Sequence, residues 1–156
     1  MRRREREIKD REKIAAILKQ TPIGRMATIN REGIPVIKPV NFVYWDKKIY
    51  IHSSLKGEKA QDIRRGSPVC FEMDEPIAYV AVHGPACSSS FYYRSVIIKG
   101  RAIFIKDRNR KKKILEKLME KYQPEGGYEG ISEAILDKTG VIEISMDQIT
   151  GKENIG

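Results

Sequence analysis

"IGRMATINREGIPVIKPVNFVYWDKKIYIHSS", residues 23–54, decides the fold. Apolar and polar residues alternate through it with a period of two, the pattern of strands that bury one face. "IGRMATIN" (23–30) is expected to place Ile23, Ala27 and Ile29 on the inner face, with Arg25 at that face's polar position. "REG" turns the chain into a second expected strand, "IPVIKPVNFVYW" (34–45), and "DKK" turns it into a third, "KIYIHSS" (48–54). Strands joined by turns this short form an antiparallel meander.

The meander is framed by helical patterns. Asp10 is a suitable N-cap for a helix with Ile14, Ile17 and Leu18 on one face, and Thr21-Pro22 ends it. After residue 54 the spacing predicts a helix at 58–66, a short strand "PVCFEMD" (68–74), an irregular segment 75–90 and a long strand 91–105. Gly100 marks a bend or bulge within that long strand. Asp107 caps a helix whose Ile114, Leu115, Leu118, Met119 and Tyr122 form an apolar stripe opposite a lysine-rich face. A short helix "ISEAILDK" and a last strand 139–146, with Ile142, Ile144 and Met146 inward, complete the chain. The class is mainly β (α+β), with five or six antiparallel strands and peripheral helices.

The 156 residues suffice for one domain at 10–156 behind a basic leader at 1–9. A composition 40% hydrophobic and 33% charged excludes a disordered chain. No apolar run reaches the roughly 18–20 residues of a membrane helix. "MRRREREIKD" lacks the apolar core of a secretory signal, so the expected compartment is the cytoplasm. Cys70 and Cys87 are then expected as free thiols. With His52 and His83 they make no zinc spacing, and no metal is expected. Thirty basic residues against 21 acidic ones give a net charge of +9, which favours anionic partners without choosing among them. The chain has no GxSxG, no GxGxxG and no Walker loop, which removes the hydrolase elbow, the Rossmann dinucleotide and the P-loop.

Three segments carry candidate chemistry. In "IYIHSSLKGEKAQDIRRG" (49–66) a strand hands over to a helix through Ser53, Ser54, Gly57 and Lys59. Hydroxyls, a permissive glycine, a lysine and helix N–H groups suit a phosphate monoester; a solvated turn is the alternative. In "KPVNF" (38–42), Pro39 cannot join a central ladder and implies an edge or a bulge. One bulged residue would bring Lys38 and Asn41 to one side, where the Asn amide can pair with a heterocycle; the alternative is a solvent-facing pair. In "YYRSV" (92–96), Arg94 can clamp an anion or pair with a carboxylate, and Ser95 can bond a ring nitrogen.

In this order the segments resemble the FMN-binding split-barrel superfamily, the pyridoxamine 5'-phosphate oxidase-like group, with the nitroimidazole-resistance reductases as its nearest branch. "PVNF", "HSSLKGEKAQDI", "YRSVI" and the terminal "ITGK" carry the resemblance, which spans nearly the whole chain after the leader. It implies a six-stranded antiparallel split β-barrel that forms a homodimer with FMN at the subunit interface. It places Lys38, Pro39, Val40 and Asn41 beside the flavin ring and His52, Ser53 and Ser54 near ring and phosphate. Lys59 takes the place of the phosphate lysine, Ser95 reaches the flavin, and Arg94 lies nearby. Glu58 stands where the oxidases have an arginine, and the tail "DQITGKENIG" lacks their basic and aromatic residues for pyridoxal phosphate. The implied activity is an FMN-dependent oxidoreductase reducing nitro-aromatic, quinone or similar small acceptors, with His52 as the candidate proton-transfer group. The alternatives are a flavin-binding sensor without turnover and a basic nucleic-acid-binding barrel. The barrel reading is disfavoured because the aromatics are not spaced for base stacking. No membrane partner is expected.

Overall fold

The computed structural model describes residues 3–156; Arg2 of the leader's arginine run lies outside the described residues. Helix α1 (Arg11–Gln20) starts where expected, with Asp10 Oδ1 accepting from the N–H groups of Glu12 (2.8 Å) and Lys13 (3.3 Å). Its Ile14, Ile17 and Leu18 are buried. The meander follows as β2 (Gly24–Ile29) and β3 (Pro35–Val40), then β4 (Val43–Trp45) and β5 (Lys48–Ser54). The expected strand 34–45 is therefore two strands, broken at Asn41–Phe42. Strand β1 (Glu7–Ile8) precedes them. Helix α2 (Glu58–Arg64) leads to the long hairpin β6 (Pro68–Val80) and β7 (Ser90–Phe104). Helices α3 (Arg108–Tyr122) and α4 (Glu133–Lys138) and strands β8 (Thr139–Ile144) and β9 (Gln148–Asn154) close the chain.

All ladders are antiparallel, in the order β3-β2-β6-β7-β8-β5-β4, with β9 pairing β1 and β7. The path ends on two edges that do not pair with each other, so the sheet stays open: a split-barrel α+β fold with four α-helices. Among the described residues nine strands replace the six expected because the second strand divides and the leader and tail pair with each other. The segment 75–90 is less irregular than its composition suggests: residues 75–80 prolong β6 with a register shift between Pro76 and Ala78.

Strand β7 belongs to both halves. Tyr93–Lys99 pair with β9, whereas Ala102–Phe104 pair with β8. At the corner between them, a Cβ on Gly100 would lie 2.0 Å from the Ser145 carbonyl oxygen, so only glycine fits. Inside the barrel lie Met26, Phe42, Ile49, Ile51, Phe71, Met73 and Ile98, joined by Ile8 of the leader. A second core forms outside, where Ile114, Leu115 and Leu118 of α3 and Leu136 of α4 cover Val43, Tyr50 and Val141.

The expected inner face of β2 is its outer one. Met26 and Thr28 are buried, while Ile29 is 36% and Ile23 49% exposed. Thr28 tolerates the interior because its hydroxyl donates to Asp62 Oδ2 at 2.7 Å, so the buried polar group is satisfied.

Candidate functional site

Three basic side chains converge where β3, β5 and α2 meet. Lys38, on the sheet's terminal strand, donates to Glu58 Oε2 at 2.9 Å. The terminal position also accommodates Pro39, whose missing N–H leaves no inner ladder bond unmade. Lys59 has no carboxylate partner among the described residues, and burial and the charge of Lys38 hold its ammonium below the ordinary lysine value. Partial burial and the Lys59 charge likewise lower the His52 imidazole. An added anion would relieve both penalties. Between His52 and Lys59 the chain turns through Gly57 at φ 95°, and Ser54 Oγ accepts from Lys56 N at 3.0 Å. Helix α2 has only seven residues, so the positive charge here comes chiefly from the side chains rather than from a long helix dipole.

Beside these cations opens an apolar cleft of about 390 Å³. Asn41 and His52 stand at one side of it and Leu118, Met119, Tyr122 and Ile131 at the other. Asn41 reaches it because the strand breaks there: the chain leaves β3 at Val40, and Phe42 is fully buried. The break stands in place of the expected one-residue bulge and brings Asn41, but not Lys38, to the cleft wall. Tyr122 pins it, accepting from Phe42 N at 2.8 Å and donating to the Pro22 carbonyl at 2.6 Å. Next to it Lys121 donates to the Thr21 carbonyl at 2.8 Å with its ammonium 3.7 Å from the Phe42 ring centre; burial pushes its pKa down to about 8.

The other expected residues distribute unevenly. Val40 packs on the barrel core, and Ser53 points inward, opposite to His52 and Ser54. Arg94 and Ser95 are not brought to this cluster within one chain. They pair with β6 and β9 across the long hairpin, eight residues (up to roughly 27 Å of strand) from where β7 meets β8. Arg94 is engaged by Glu75 and Glu153, each at 3.5 Å, while Ser95 lies opposite Asp74 and Lys152 on the other face of the sheet.

Met119 and Tyr122, expected only as part of the apolar stripe of α3, also line the cleft. Their place at the end of the apolar stripe was the available signal. In the lysine run of α3, Lys112 and Lys113 are exposed as the lysine-rich face implies, while Lys111 bonds the Leu136 carbonyl and Lys113 also stacks 5.0 Å over Trp45. Among the described residues no group of three or more His, Cys, Asp or Glu is placed to hold a metal. No helix of the described residues is long and apolar enough to cross a membrane.

Comparison with known proteins agrees with this architecture. A candidate 5-nitroimidazole antibiotic resistance protein from Bacteroides thetaiotaomicron shares 28% identity over 94% of this chain and 85% of its own, with a TM-score of 0.82. The FAD and heme binding protein of Mycobacterium smegmatis superposes with a TM-score of 0.88 at 21% identity, over 97% of this chain and 74% of its own. The flavocytochrome Anf3 of Azotobacter vinelandii gives 0.89 at 22% identity, over 100% and 72%. At these lower identities the likeness speaks for the fold. No curated protein matches. The sequence profile of the pyridoxamine 5'-phosphate oxidase family aligns with residues 10–153, from the cap of α1 almost to the end of β9, and the chain belongs to that family.

Proposed function

We propose that the protein binds FMN between two copies of itself and is an oxidoreductase for small apolar acceptors of the nitro-aromatic or quinone type. The observation that carries this reading is Lys59, without a carboxylate partner among the described residues, crowded by Lys38 and set near His52, which stands at the edge of an apolar cleft. A dianionic phosphate monoester is the ligand group that satisfies such a cation pair. Lys59 and Lys38 would hold the phosphate, and the Asn41 amide would orient the heterocycle against the apolar wall of Leu118 and Met119. Bound flavin would supply the electron-transfer chemistry, and the protein would position it.

His52, held below its ordinary pKa by partial burial and the Lys59 charge, would supply the imidazole for proton transfer. The second copy enters because Ser95 and Arg94 lie away from the Lys59 cluster along the chain's own sheet, and because β3 and β7 expose apolar side chains outward among Arg25, Lys99 and Arg101. Ile37 is 64% exposed and Ile97 38%. An exposed apolar surface of this kind marks an association face.

The test is titration of the apoprotein with FMN and, separately, with FAD. Lys59→Glu should weaken FMN binding roughly 100-fold, the scale of a lost charge-assisted hydrogen bond at about 1.5–3 kcal/mol. Undiminished FMN affinity in that variant overturns the phosphate assignment, and a preference for FAD overturns the choice of flavin. Reduction of the bound flavin by a nicotinamide donor and reoxidation by a nitro-aromatic supports the enzyme; failure of both steps leaves a flavin-binding protein without turnover.

A further inference from the structure

The basic leader and the connection between β6 and β7 take no part in the Lys59 site, but the fold brings them to each other. A 3₁₀ turn at Arg4–Arg6 runs into β1, which the Glu7↔Lys152 and Ile8↔Gly151 pairs fix against β9. From the other side comes the connection after Val80, which makes a 3₁₀ turn at Ala86–Ser88 before β7 starts at Ser90. Between them is a cleft of about 520 Å³ walled by Arg3, Arg6, Lys152 and serines 88 to 90, with Cys87 also in its wall. Tyr93 adjoins it, since its ladder partner is Asn154, two residues from Lys152, and the Lys152 ammonium lies 5.8 Å from its ring centre.

Lys13, Arg25, Lys38, Lys48, Arg94 and Arg110 each have a carboxylate within ion-pairing distance. Among the described residues Arg3, Arg6 and Lys152 have none, although Glu7 stands opposite Lys152 in the ladder. Lys152 and Arg6 have the Tyr93 hydroxyl as a neutral partner: burial raises its pKa, but their hydrogen bonds to it, together with their charges, outweigh burial and hold the group below the ordinary tyrosine value.

We infer that this cleft is a second anion site, built to take the phosphoryl group of a small phosphorylated organic molecule. Two guanidinium forks, an ammonium and the Ser88 hydroxyl offer more donors than a single carboxylate can accept, and match the oxygens of a phosphoryl group. The volume exceeds that of a bare ion and falls in the range of roughly 300–1,000 Å³ typical of small-molecule clefts. The cations face one concavity instead of forming the extended stripe that a nucleic-acid backbone requires. None of its residues belongs to the Lys38–His52–Lys59 cluster, although Lys152 is the ladder partner of Ser95, which the proposed second copy would bring to the flavin.

Cys87 provides the readout. In a Cys70→Ser background it is the sole thiol, and its reaction with dianionic dithiobis(nitrobenzoate) can be compared with that of neutral dithiodipyridine, each normalised to free cysteine. The anionic reagent should be favoured about tenfold or more, as expected for a cleft that concentrates counter-ions. Inorganic pyrophosphate should suppress the labelling. Arg6→Gln with Lys152→Gln should abolish both the preference and the protection, with Arg3→Gln as a second variant at an exposed position. Lys59→Glu should leave both intact. Equal normalised rates, a preference that survives removal of the charges, or no protection by pyrophosphate would overturn the inference. So would protection by a single-stranded oligonucleotide at lower phosphate concentration than pyrophosphate needs, which would assign the cleft to nucleic acid.

Discussion

Strands β5 and β3 lie in one open sheet, and both carry apolar residues on their outer faces, but the chain covers only one of them. On β5, Ile49 and Ile51 point into the barrel, and the outward Tyr50 is just as inaccessible because α3 and α4 lie over it. On β3, Ile37 points outward and stays 64% exposed. Apolar side chains at successive positions of β5 are thus explained within one molecule, whereas those of β2 and β3 call for a cover from outside. The second copy proposed above would supply it.

The comparison can be broken or sharpened by substitution. Leu118→Ala, under the covered face, removes a side chain that touches both the second core and the apolar cleft, and should cost about 2–5 kcal/mol in chemical denaturation. Tyr122→Phe should cost less, about 1–3 kcal/mol, because it leaves Phe42 N–H without its partner at the strand break.

A pH-dependent effect is expected at Lys121. Its folded pKa of about 8 lies below the unfolded value of roughly 10.4, so the unfolded chain binds more protons between them. Stability should therefore rise with pH through that window, and thermal melts of Lys121→Met should lose the rise. Ile37→Thr on the bare face should change the stability of the single chain least, by less than about 0.5 kcal/mol. In sedimentation, however, that variant should shift a dimer towards monomer. If Ile37→Thr melts like Leu118→Ala, the contrast between the two faces is wrong.

This asymmetry also explains where the sequence could and could not be read. The helix caps at Asp10 and Asp107, the antiparallel meander and the corner at Gly100 were legible because each depends on local chemistry: a carboxylate at an N-terminus, a short turn, a missing Cβ. The facing of β2 was not, because a period-two pattern gives two faces and says nothing about which is inside when both are apolar. Thr28 settled the matter through Asp62, thirty-four positions away in the chain. The pairing of leader and tail escaped for the same reason, since "EI" and "ITGKEN" become strands only against each other and β7. Lys38, Asn41, His52 and Lys59 could be singled out as candidates because each stands at or near a proline, a break or a turn. The apolar wall facing them was not, since Leu118 and Met119 look like any other helix stripe.

The continuity of β7 has a mechanical consequence. One fifteen-residue strand is hydrogen-bonded to β6, β9 and β8 in turn, so neither half of the sheet can detach without stripping a shared backbone. Amide hydrogens on both sides of the Gly100 corner should consequently exchange through the same global opening, and the molecule should melt as a single cooperative unit.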